Sequence, residues 1–198
     1  MDHAATMHPI ESSELMGTQR GKLGMWLFLV SDALTFGALL AAYGAMRVGN
    51  PDWPVPSHIL GIPLTALNTF ILICSSVTMV KALSAVRRGD QAGLQKFLLG
   101  TILGGTTFLG IQAYEWTHLI KNEGLALRKD LFSATFFTIT GFHGFHVTCG
   151  VIYLLVILMQ ARKGIYTAEN HHRVEIAGLY WHFVDLVWIL VFTFVYLV

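Results

Sequence analysis

Long apolar runs separated by short polar breaks dominate this chain. They fall near residues 23–46, 63–83, 97–118, 131–159 and 176–198. Each reaches the roughly 20 residues that an α-helix needs to cross a hydrocarbon layer about 30 Å thick. Strands and ordinary core helices are shorter, so the pattern predicts an all-α fold, an integral membrane bundle of five transmembrane helices. Residues 1–22 are polar and read as a flexible cytoplasmic tail, leaving 23–198 as the transmembrane domain. The tail has no apolar signal-peptide core, so the first run is expected to remain in the mature chain. Between the first two runs, Asn50-Pro51-Asp52-Trp53-Pro54-Val55-Pro56 cannot continue a helix, and Trp53 is expected at headgroup level. What lies outside the runs is too short for a separate soluble catalytic domain.

Composition agrees with this pattern and removes other classes. Charged residues are 13 % of the 198, against about 25 % in a soluble domain, while hydrophobic residues reach 54 %. Thirteen Lys and Arg against twelve Asp and Glu leave no basic field for nucleic acid. The two cysteines, Cys74 and Cys149, lie inside apolar runs, which excludes a disulfide framework or a cysteine zinc site. Nine cations (Arg20, Lys22, Lys81, Arg87, Arg88, Lys96, Arg162, Lys163 and Arg173) belong to one end of the predicted bundle. Four (Arg47, Lys121, Arg128 and Lys129) belong to the other. The positive-inside rule then places the N-terminus in the cytoplasm and the C-terminus outside. Small residues four apart, Gly37 with Ala41 and Gly100 with Gly104, are suited to close helix packing.

The ionisable residues inside the runs are few: Asp32, Glu115, His143, His146, Glu175, His182 and Asp185. A charge at bilayer depth costs at least about 2.5–3.5 kcal/mol, so each needs a partner or a task. Glu175, His182 and Asp185 are spaced to share one helical stripe, and His143 and His146 neighbour each other on another. Asp32 is the opposite charge available to these histidines. Three readings stand open. The residues are satisfied internal pairs that fix which helix faces meet; or they hold and relay protons; or His143 and His146, or one of them with His182, ligate haem iron or another metal. Glu115 and Glu175, near run ends, can reach the interface and read as structural. The aromatic residues of the last run, among them Tyr180, Trp181 and Trp188, could be covered equally by lipid or by a partner.

Five segments in order carry a resemblance. They are Trp26-Leu27-Phe28-Leu29-Val30-Ser31-Asp32, Leu67-Asn68-Thr69, Gln112-Ala113-Tyr114-Glu115, Gly141-Phe142-His143-Gly144-Phe145-His146-Val147 and Tyr180-Trp181-His182-Phe183-Val184-Asp185-Leu186-Val187-Trp188. Together they resemble subunit III of the haem–copper terminal oxidases over residues 22–198. The resemblance implies a non-catalytic accessory subunit of an aerobic respiratory cytochrome c oxidase, a complex that reduces O2 to water and pumps protons. In that family subunit I holds the haems and copper and subunit II receives electrons. Subunit III packs on subunit I, binds phospholipid between its helices and sustains proton uptake. The expected partners are therefore subunits I and II and membrane lipid, in a hetero-oligomer of the bacterial plasma membrane, with no cofactor bound by this chain beyond structural phospholipid.

Two departures matter. Longer family members have seven helices and this chain has five, so the lipid cleft lacks part of its wall unless another chain supplies it. The family's buried Glu is here Asp32, about 1.5 Å shorter in reach; its carbodiimide-reactive, proton-related role is what the resemblance transfers to Asp32. The length and the Ser31-Asp32 pair resemble bo-type quinol oxidases, whereas Asn170-His171-His172 and Glu175 resemble the cytochrome c branch. A nitric-oxide-reductase accessory subunit is a further alternative within the family. Outside it stand a proton-coupled transporter and a small b-type cytochrome.

Overall fold

The computed structural model describes the backbone of residues 9–122, 124–125 and 130–198, and side chains from residue 20 onward within these except 57 and 58. Helix α1 spans Pro9–Val48, α2 is the short Pro56–Ile59, α3 is Ile62–Arg87 and α4 is Gln91–Asn122. Helix α5 is Leu131–Arg162, and α6, His172–Val191, runs on into a π-helical turn, Phe192–Leu197. Five of these helices are long and apolar enough to cross a membrane. There is no strand among the described residues.

Most helix ends follow from local chemistry. Arg88 closes α3, and Gly89 then takes φ +76°, a left-handed conformation that costs glycine little. The next residue, Asp90, turns its carboxylate onto the Gly93 amide at 2.8 Å and starts α4. This short break makes α3 and α4 an antiparallel hairpin. Helix α5 repeats the logic: Asp130 caps the Ser133 amide at 2.6 Å, and Gly164 at φ +72° follows the last turn. Replacing Asp130 by Ala is expected to cost about 1 kcal/mol of stability, measurable as earlier thermal unfolding in detergent. An unchanged unfolding midpoint would contradict the cap. Helix α1 is described from Pro9 onward. It takes in residues 9–22 of the segment whose polarity reads as a tail; residues 1–8 lie outside the described residues, as do Arg128 and Lys129.

Helices α3, α4, α5 and α6 each pack on the next, and α6 returns to α3, so the four form a closed ring. Helix α1 lies outside the ring, across α5 and α6. It is the least buried of the five, with Leu23, Trp26, Leu27, Val30 and Leu34 facing outward. The α3–α4 contact is close because Gly104 leaves no room for a side chain; a Cβ there would stand 2.6 Å from that of Ser75. One turn earlier Gly100 faces Thr78, whose hydroxyl meets that of Thr101 at 2.8 Å. Gly37, by contrast, meets nothing within 4 Å of an added Cβ, so that small residue is not a helix contact among the described residues.

The aromatic residues of α6 are mostly interior. Trp181 and Trp188 are buried, each indole N–H donating to a hydroxyl on α3: Trp181 to Ser75 at 3.0 Å and Trp188 to Thr69 at 2.8 Å. Neither lipid nor a partner is needed to cover them. Trp53 lies in the connection between α1 and α2. It stands edge-on to Tyr43 and Phe132, with ring centroids 5.4 and 5.7 Å away, and plugs that end of the bundle. At the opposite end the α5–α6 loop is pinned by Tyr166. Its hydroxyl donates to Gln160 and its carbonyl accepts from Gln91, and burial pushes the phenol above its ordinary range.

Candidate functional site

Asp32 sits where α1 crosses the face of α5. Its Oδ1 lies 3.3 Å from His146 Nε2, and both residues are only 7 % exposed. This contact resolves which histidine Asp32 faces. Phe36, one turn further along α1, packs on the rings of Phe142 and His146 and closes the apolar side of the pair. From α6, the Tyr180 hydroxyl donates to the His146 carbonyl at 2.9 Å.

The hydrogen bonds constrain where the protons are. His146 Nδ1 stands 2.8 Å from the Phe142 carbonyl, which can only accept, so Nδ1 carries hydrogen. In a neutral ring Nε2 is then an acceptor, and an ionised Asp32 would oppose it with a second acceptor. A 3.3 Å contact is favourable only with one proton between them, on Asp32 Oδ1 or on His146 Nε2. Asp32 Oδ2 has no partner among the described residues, so the carboxyl keeps one free coordination side.

The other intramembrane groups are kept apart. His143 is fully buried, its ring tilted over Trp188 at 4.8 Å and edge-on to Phe108 at 5.8 Å. Neither ring nitrogen has a hydrogen-bond partner among the described residues. Thus the two histidines of the α5 stripe have different environments. Glu115, which the sequence suggests could reach the interface, is instead 5 % exposed. Its carboxyl accepts from Thr65 at 2.8 Å, Tyr196 at 3.1 Å and Gln112 at 3.3 Å. Glu175 is at the bundle end, 2.8 Å from Lys22 and 3.5 Å from Arg87, and ties α1, α3 and α6 together. His182 Nδ1 pairs with Ser76 at 2.9 Å and, with Asp185, lines a groove between α3 and α6. The stripe shared by Glu175, His182 and Asp185 therefore serves two different places. Among the described residues no three His, Cys, Asp or Glu side chains gather as a metal site.

Sequence reasoning missed Thr65, Thr69, Ser75, Ser76 and Tyr196 as partners. The one signal for the first four is the density of hydroxyl residues in an otherwise apolar α3.

A bundle with five helices fit to span the bilayer, its acids turned inward onto imidazole and hydroxyl groups, is an integral membrane protein. The family profile described as cytochrome c oxidase subunit III matches residues 11–198. A cytochrome c oxidase subunit 3 from Synechocystis is 43 % identical over 88 % of this chain and 74 % of its own length. One from Thermostichus vulcanus is 38 % identical over 88 % and 86 %. A quinol oxidase subunit 3 from Bacillus subtilis is 34 % identical over 99 % and 95 %. The chain belongs to the cytochrome c oxidase subunit III family. It is an accessory subunit of a haem–copper terminal oxidase and part of a multisubunit complex.

Proposed function

We propose that this subunit catalyses nothing alone and serves a proton-pumping cytochrome c oxidase of a bacterial plasma membrane, packed directly on subunit I with subunit II in the same complex. The haems and copper belong to those partners, and this chain contributes packing, structural phospholipid and support for proton uptake. Its N-terminus is cytoplasmic. Arg20, Lys22, Arg87, Arg88, Arg162, Lys163 and Arg173 occupy the bundle end marked by the Lys22–Glu175–Arg87 cluster, in keeping with the positive-inside rule. Cytochrome c is the favoured donor because the Synechocystis and Thermostichus vulcanus relatives named for it, at 43 % and 38 %, exceed the 33–36 % of the quinol oxidase subunits. The quinol reading rests on those subunits, of which the Bacillus subtilis one aligns over nearly the whole chain. Oxidation of reduced cytochrome c against a quinol by the purified complex separates the two.

The observation that carries the proton role is the Asp32–His146 pair. A carboxyl and an imidazole that share one proton can take it up or release it with little movement, the use that membrane proteins make of such chains. Asp32→Ala removes the carboxyl. The oxidase is expected to keep its haem content and initial electron-transfer rate, while proton uptake slows or inactivation during turnover quickens severalfold. Stopped-flow proton uptake and turnover lifetime check this. A variant complex with parental uptake and lifetime would leave the pair a structural contact.

A further inference from the structure

The seams around α6 are treated unequally. Helix α1 covers the α5–α6 seam and brings Asp32 to His146. The neighbouring α3–α6 seam has no described helix of this chain over it, yet it carries similar chemistry. A groove of about 320 Å³ opens there, walled by Ser76, Val77 and Val80 of α3 and by His182, Asp185 and Leu186 of α6. These residues lie near the middle of both helices, at the depth of the hydrocarbon. Val77, Val80 and Leu186 are each more than half exposed on the rim. At the floor the Ser76 hydroxyl is shared with His182 Nδ1 at 2.9 Å. Asp185 is only 7 % exposed, and its Oδ1 has no hydrogen-bond partner among the described residues.

We propose that the α3–α6 groove is the seat of a transmembrane helix from another subunit of the oxidase, which brings a hydrogen-bond donor side chain to Asp185 Oδ1. The inference rests on the chain being an oxidase subunit and adds which face is used and what the partner presents. Lipid tails match the apolar rim but offer no hydrogen-bond donor to Asp185 Oδ1. A second copy of this chain would bring an identical acid against the first on a self-complementary two-fold contact. A helix carrying Lys, Arg, Asn, Gln, Thr or Trp at mid-depth satisfies both the rim and the floor. Asp32 and α1 show the same arrangement one seam away, in which a helix laid over the ring brings its polar group to a buried partner.

The test uses the whole oxidase in native membranes. A photoreactive p-benzoylphenylalanine replaces Val77 or Leu186, with Leu103 on α4, the helix diagonal to α6 in the ring, as the control. The expected result is a covalent adduct with another oxidase subunit from Val77 and Leu186 but not from Leu103. Separately, Asp185→Leu is expected to reduce retention of this subunit in the detergent-purified complex tenfold or more, with Asp185→Asn recovering part of it. Adducts with phospholipid alone, with a second copy, or equally from Leu103 would overturn the proposal while the chain still co-purifies with haem-bearing subunits. Parental retention of Asp185→Leu would overturn the donor contact. Failure of the unaltered chain to co-purify with any haem-bearing subunit would instead sink the oxidase reading, and this inference with it.

Discussion

A Gly105→Leu chain is expected to lose about 3 kcal/mol of bundle stability, the upper end for overpacking a filled core. The reason is the position of one indole. A Cβ on Gly105 would stand 2.4 Å from Cη2 of Trp181 and 2.9 Å from a methyl of Val151. The indole cannot retreat toward α5, because a Cβ on Gly150 would already stand 3.0 Å from its Cζ3. Its N–H is held by Ser75 on α3. Trp181 thus touches all three other helices of the ring and is wedged between two glycines. Thermal unfolding in mild detergent reads the loss. The double variant Gly105→Ala with Trp181→Phe should be less destabilised than the two single changes together, because residues in contact couple. Strict additivity, or a Gly105→Leu chain as stable as the parent, would show that the wedge does not hold the ring.

Some of this architecture is legible in the order of residues alone. The apolar runs are long enough to leave one interpretation, and Gly89-Asp90 marks a turn because the left-handed residue and the cap demand those side chains. Asp32 stands out because an acid in mid-membrane needs a partner. Which partner is not legible. His143 and His146 are three residues apart on α5, so spacing alone puts both near the same face. What decides between them is the rotation of α5 against α1, set by Phe36 and Phe142 packing together. Ser75 and Ser76 make the same point. Adjacent residues differ by about 100° around a helix, so one bonds the Trp181 core while the other faces the outer groove. Hydroxyl residues in apolar helices are common, and nothing in the chain marks the few that bridge helices.

Glu115 is where that illegible chemistry has its largest expected effect. It reads as a run-end acid free to reach the interface, but three donors from three segments close on it: Thr65 of α3, Gln112 of its own helix and Tyr196 of the π-helical turn. Glu115→Ala removes both carboxyl oxygens and leaves the Gln112 and Tyr196 donors buried without an acceptor, while Thr65 keeps the Gly61 carbonyl at 3.2 Å. Interhelical hydrogen bonds in membrane proteins average about 0.6 kcal/mol and reach about 1.7, and an orphaned buried donor costs about 1–3. The expected loss is therefore about 2–4 kcal/mol. Glu115→Gln keeps one carbonyl for the Thr65 hydroxyl, and Tyr196 can rotate its hydroxyl to accept from the new amide. That variant should lose about 1 kcal/mol. The distinguishing measurement is the order of unfolding midpoints in detergent, parent above Gln and Gln well above Ala. Equal midpoints for Gln and Ala would mean that Gln112 and Tyr196 find other acceptors, and that the α3–α4–π-turn corner is held by the packing of Phe136, Trp188 and Tyr196 instead.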